Sequence, residues 1–69
     1  MEEGIVLFFN PMKGFGKILH PKHGHIFVHI NDLIDQIYPG EKVEFLIAEN
    51  SISGTSAKQV RRIKEIRTK

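Results

Sequence analysis

The chain has no cysteine and no tryptophan, and a single tyrosine among its 69 residues. Without thiols there is neither a disulfide framework nor a thiolate metal site, and the redox compartment cannot be read from cysteine usage. Long apolar runs are missing too: the longest, such as Ile5 to Phe9, fall far short of the ~20 residues that span a bilayer. The opening Met1-Glu2-Glu3-Gly4 is acidic and lacks the basic start of a signal peptide. These absences point to a soluble, cytoplasmic protein without a membrane partner. A chain of this length buries only about 60% of its unfolded surface. It therefore reads as one domain, residues 1–69, of marginal stability, with no room for a separate catalytic domain.

Catalytic chemistry is also missing from the pattern. Ser51, Ser53 and Ser56 lie in or beside a polar loop with no histidine paired to them in sequence. No carboxylate has surroundings that would tune it as an acid or base. Gly14-Phe15-Gly16 is not followed by the Gly-Lys-Ser/Thr of a phosphate-cradling loop. The chain reads as neither an enzyme nor a holder of any cofactor or small-molecule substrate. Four histidines (His20, His23, His25 and His29) raise the question of a metal. His25 and His29 stand four residues apart on one strand, ~13 Å at strand rise, too far for one ion. His20, His23 and His25 surround a hairpin, but no carboxylate or cysteine nearby in sequence completes a site.

What is present is uneven charge and a distinctive use of phenylalanine. The net charge is +2, yet six basic residues (Lys58, Arg61, Arg62, Lys64, Arg67, Lys69) face one acid, Glu65, after residue 57. Residues 31–50 lean acidic. A basic tail from about residue 61 on a near-neutral body suits electrostatic help for a polyanion.

Five short apolar segments separated by turn residues predict a small all-β protein. Gly4 to Asn10 reads as a strand closed by Asn10-Pro11, with Ile5, Leu7 and Phe9 on one face and Val6 and Phe8 on the other. Both faces are apolar, so one must serve as something other than solvated surface. Gly14 to Leu19 puts Phe15 and Lys17 on one face and Gly16 and Ile18 on the other. His25 to Ile30 turns Ile26, Val28 and Ile30 inward and leaves His25, Phe27 and His29 outside. Asn31-Asp32 could cap a short helical turn through Leu33, Ile34 and Ile37. Glu41 to Ala48 points Val43, Phe45 and Ile47 inward. Glu49 to Thr55 reads as a loop, and Ser56 to about Ile63 as a final strand. Five strands without a long helix describe a small closed antiparallel barrel, which leaves no exposed edges.

Within that frame, Lys13-Gly14-Phe15-Gly16-Lys17 stands out. A ring between two glycines, flanked by lysines, is a place where a nucleic-acid strand could approach closely and a base could stack. The competing reading is a glycine-punctuated strand whose phenylalanine belongs to the core. Phe27, alone among histidines on an outer face, weighs against it.

Phe8-Phe9-Asn10, Lys13-Gly14-Phe15-Gly16 and Phe27-Val28-His29, at these spacings, resemble the bacterial cold shock proteins (the cold shock domain), from Gly4 to about Val60. The resemblance implies a five-stranded oligonucleotide-binding (OB-fold) barrel that holds single-stranded RNA or DNA on an aromatic face. Phe8, Phe15, Phe27 and His29 would stack, Lys13 would contact backbone, and Phe9 falls in the same patch while being partly core. Departures are equally informative. Phe8 replaces the usual tryptophan, Leu7 a lysine, Lys17 and Ile30 aromatics, and His25 an acid. The loop from Asn31 to Tyr38 is shortened. Lys17 and His25 are then expected to compensate electrostatically, giving moderate affinity, a steep salt dependence and pH sensitivity. The implied partner is single-stranded nucleic acid, bound by a monomer or weak dimer acting as an RNA chaperone without ATP. The alternative is an assembly barrel whose altered aromatic face docks another protein.

Overall fold

In a computed structural model, which describes residues 1–50 and 54–63, with the side chain of Asn50 left aside, the chain forms five strands. They are β1 (Glu2–Asn10), β2 (Phe15–His20), β3 (Gly24–His29), β4 (Lys42–Asn50) and β5 (Gly54–Arg62). They close into a barrel in the order β1-β2-β3-β5-β4. Four of the five pairings are antiparallel, and β3 meets β5 in parallel through Phe27–Ser56 and Val28–Ala57 to complete the ring.

The interior follows the alternation of the strands. Val6, Ile18, Ile26, Val28, Val43, Phe45, Ala57 and Val60 are almost completely buried, joined by Ile37 from the loop before β4. Phe9, Leu33 and Ile47 pack against this cluster. Of the residues expected inward on β3, Ile30 is instead 41% exposed, because the strand ends at His29 and Ile30 begins a 3-10 turn.

Strict alternation fails on β1. Val6 pairs with Ile18 and Phe8 with Lys17, so Leu7 is an extra residue that forms a bulge. A bulge changes which face the following residues occupy. Val6 and Phe9 therefore both turn toward the core, while Ile5, Leu7 and Phe8 remain exposed. This corrects the grouping of Ile5, Leu7 and Phe9 on one face and Val6 with Phe8 on the other. A second irregularity lies on β5, where Gln59 adopts φ 52° between the Glu44–Arg61 and Leu46–Lys58 pairs.

Two connections differ from their expected form. The helical turn spans Ile30–Asp32 rather than starting at Asn31, because His29 caps it: Asn31 N–H donates to His29 Nδ1 at 3.1 Å. Leu33 then bridges to Val60, and Ile34 N–H donates to the Val60 carbonyl at 2.7 Å, which lays this segment along β5. The β4–β5 connection is tighter than a loop from Glu49 to Thr55, since Glu49–Thr55 and Asn50–Gly54 are already paired. Ser51, Ile52 and Ser53 lie outside the described residues, as do Lys64, Arg67, Lys69 and the rest of the tail from residue 64.

His20 anchors the β2–β3 turn. It is buried, its ring lies edge-on to Phe45, and its Nδ1 accepts N–H bonds from Lys22 and His23 at 3.0 and 3.1 Å. Accepting two donors requires the Nδ1 lone pair, so Nε2 carries the hydrogen and donates to Glu2 Oε1 at 2.8 Å. That bond holds the Glu2 carboxyl below its ordinary range. A carboxylate lowered in the folded state adds stability above its unfolded pKa, near ~4.3, and loses it as pH falls through the folded value. Glu2→Gln is expected to narrow the difference from wild type as the buffer is acidified below that range. Melting temperatures of both proteins across the acid range check this; a constant gap would separate Glu2 from acid sensitivity.

Candidate nucleic-acid interface

The candidate site is built on the outer face of β1, β2 and β3. Register places Phe8, Lys17 and Phe27 in one row across the three strands, with Asn10, Phe15 and His29 in the next. Rings on diagonal positions of adjacent strands are within reach of one another. Phe15 accordingly touches both neighbours: its centroid is 6.4 Å from Phe8, edge-on at 81°, and 6.1 Å from Phe27, nearly parallel at 22°. Phe8 is 41% exposed, and Phe15 and Phe27 are partly exposed. Since no β-strand residue can point to both faces, Phe15 does not belong to the core.

The cations follow the same frame. Lys17, exposed, stands between the strands bearing Phe8 and Phe27. His25 and His29 flank Phe27 on β3, both exposed. His29 Nδ1 is occupied by the Asn31 N–H, which leaves Nε2 as the outward nitrogen. Lys13 sits in the β1–β2 turn. Asn10 Oδ1 accepts N–H bonds from Met12 and Lys13 at 3.0 and 3.1 Å, and Gly14 N–H donates to the Asn10 carbonyl at 2.7 Å. This compact turn is the local reason for Asn10-Pro11, and it presents the exposed Lys13 at the Phe15 end of the stripe.

Seven of the eight anticipated residues (Phe8, Lys13, Phe15, Lys17, His25, Phe27 and His29) thus lie on this outer face or its adjoining turn. Phe9 does not join the rings; it packs against the core cluster. The two glycines also have a different role from the one expected. Gly16 is buried, and a Cβ there would collide with the Phe8 carbonyl and come within 2.7 Å of the Phe9 ring. Gly14 is buried at φ 78° with Ile30 against it. Their missing side chains admit the protein's own β1 and turn, rather than a ligand.

Thr55, at the start of β5, is a neighbour the sequence did not single out. It lines a cleft with Lys17, His25 and Phe27. The only available signal would have been the parallel β3–β5 pairing, which no local pattern reveals. The basic residues of β5 are committed elsewhere: Lys58 pairs with Asp32 at 3.2 Å, Arg62 with Glu41 at 3.1 Å and Arg61 with Glu44 at 3.9 Å. Tyr38 is half exposed and forms none of the ring pairs of the stripe.

A closed five-stranded barrel with rings and cations on its first three strands has the architecture of an oligonucleotide-binding fold. The model of the family described as the 'Cold-shock' DNA-binding domain matches residues 2–63, and the chain belongs to that family. Its members are non-catalytic proteins that bind single-stranded nucleic acid. No curated protein matches the chain in sequence.

Proposed function

We propose that this chain binds single-stranded RNA and DNA with little sequence preference and acts, without ATP, as an RNA chaperone or as a regulator of transcription or translation. The observation that carries the reading is the contiguous Phe8–Phe15–Phe27 stripe with Lys17 set in it. Every base has a π-face, so stacking on rings tolerates sequence. Rings that hold bases apart stabilise the open strand over the paired one. The modest number of platforms keeps the strand exchangeable, which a chaperone requires. Phe8, Phe15, Phe27 and His29 take bases in this reading, and Lys13, Lys17 and His25 supply charge.

A labelled RNA hairpin that brightens on opening provides the test. Addition of the protein without nucleotide is expected to open the hairpin and speed annealing to a complementary strand. Tight binding of the single strand with no effect on the hairpin would leave a binder that is not a chaperone. Absence of binding by folded protein at low salt would favour the protein-docking alternative.

Lys17 supports a second prediction. It occupies the middle of the Phe8–Lys17–Phe27 row, where a ring would join the outer two into a continuous surface. Lys17→Phe should raise affinity for oligo-dT by about fivefold or more, since each stacked base contributes ~1–3 kcal/mol. It should also flatten the plot of log affinity against log salt by about 0.7, the change for one lost contact to a single-strand phosphate. Titrations at several salt concentrations measure both; an unchanged slope would mean that Lys17 does not contact phosphate.

A further inference from the structure

A polar cleft of about 360 Å³ opens at the side of the aromatic stripe, lined by Lys17, His25, Phe27 and Thr55. We propose that it binds a backbone phosphate of the strand whose base stacks on Phe27, and that protonation of His25 strengthens this hold. The inference rests on the single-strand reading above and assigns one subsite and its regulation within it.

Three strands assemble the cleft. Lys17 on β2 is the direct cross-strand partner of Phe27 on β3. His25 stands two residues before Phe27 on the same outer face, ~7 Å away along the strand. Ser56 is the parallel partner of Phe27 and is buried. Its neighbour Thr55 is partly exposed and lines the cleft. The lining is donor-rich: an ammonium, an imidazole that gains a second N–H when protonated, and a hydroxyl. A base edge presents acceptors and donors side by side, whereas phosphate presents acceptors only, and bonds from charged donors to phosphate are the stronger kind. No carboxylate lines the cleft among the described residues.

Histidine is the side chain whose charge changes between about pH 5 and 8. The groups around His25 are mostly cationic or neutral. β2 contributes Lys17, with Leu19 directly opposite His25; the β2–β3 turn contributes Lys22 and His23. β3 contributes His29, and β5 contributes Thr55. Glu49 on β4 stands opposite Thr55 and is the carboxylate that register brings to this side. A phosphate in the cleft favours charge on His25, so binding and protonation reinforce each other by linkage. Acidification to about pH 5.5 stays above the ordinary carboxylate range, and the Glu2 carboxyl lies lower still, so Glu2 keeps its charge throughout.

The test is titration of fluorescently labelled oligo-dT into the intact chain at about pH 5.5 and about pH 8. Wild type is expected to bind about three- to tenfold more tightly at the acid pH, the size of one charge-assisted contact. His25→Gln should lose most of that response, and His29→Gln should retain it. An oligo-dT with uncharged methylphosphonate linkages should bind wild type with no acid gain. A pH-independent affinity, an acid gain that survives in His25→Gln, or one that survives on the uncharged backbone would each overturn the proposal while leaving single-strand binding intact. No binding at either pH would instead remove the reading on which it rests.

Discussion

Phe15→Ala is expected to weaken binding of a short single-stranded oligopyrimidine by about thirtyfold or more, in the upper part of the ~1–3 kcal/mol range for one stacked base. Two features make Phe15 the largest contributor. It lies between the other two rings, edge-on to Phe8 and nearly parallel to Phe27, so its loss removes a platform and also the support that orients both neighbours. Phe8→Ala or Phe27→Ala removes an end of the stripe and should cost less. The barrel should survive. Phe15 belongs to the outer face, and its pairings with Asn10 and His29 are made by the backbone. Each lost ring pair costs about 0.5–1.5 kcal/mol, which lowers the melting temperature without removing the transition. Phe15→Leu separates the two effects, as it keeps apolar bulk and loses the π-face. It should restore stability more than affinity. Unfolding in both variants would make Phe15 a core residue and remove the stripe as a site.

The second large effect is on the fold. Gly16→Ala adds a methyl group where the Phe8 carbonyl and the Phe9 ring already are. The obstacle is partly backbone, so it cannot rotate away, and β1 must shift on β2. Overpacking of this kind costs ~1–3 kcal/mol and occasionally more, in a domain whose whole stability is a few kcal/mol. A fall of about 10 °C or more in the thermal midpoint follows from the usual relation for small domains. Because Phe8 and Phe15 lie on the two strands that must separate, the variant should also bind oligo-dT more weakly than its folded fraction explains. Thermal melts followed by circular dichroism, with titration well below the midpoint, would show both. An unaltered midpoint would mean that β1 and β2 do not approach at Gly16 as described.

These two residues also show what was legible in the sequence. The strands, the inward Ile26, Val28, Val43 and Phe45, and the outward Phe15 and Phe27 follow from period-two alternation, which survives wherever a strand is regular; Val60 turns inward three residues after Ala57 because β5 is irregular at Gln59. The partly core character of Phe9 was read, but its grouping with Ile5 and Leu7 on one face failed because the Leu7 bulge shifts the face by one residue, and a bulge depends on the partner strand rather than on local composition. Gly14 and Gly16 had a visible conformational licence but an invisible reason, since what fills the space beside a glycine comes from elsewhere in the chain. Thr55 and the ion pairs of Lys58, Arg61 and Arg62 depend on β5 meeting β3, the 3-10 turn and the start of β4, contacts of long sequence separation. The family resemblance supplied the candidate binding face as a whole; the geometry supplied Phe15 as the centre of its ring stripe.

That resemblance also sharpens the electrostatic argument. Where relatives usually carry a ring, Lys17 stands in the aromatic row, and where they usually carry an acid, His25 stands beside it. In the proposed reading, stacking energy is exchanged for charge. Charge contacts to phosphate are released by salt, whereas stacking is much less sensitive to it. Affinity in this chain should consequently depend more steeply on ionic strength than in a ring-rich relative.

The most direct measurement is a titration of the folded protein with labelled oligo-dT and with a duplex of the same length, at about 50 mM and about 200 mM salt. The account predicts saturable binding of the single strand at the lower salt, a marked loss at the higher, and much weaker binding of the duplex, whose bases cannot reach the rings. Absence of single-strand binding at the lower salt, or equal affinity for the duplex, would contradict it.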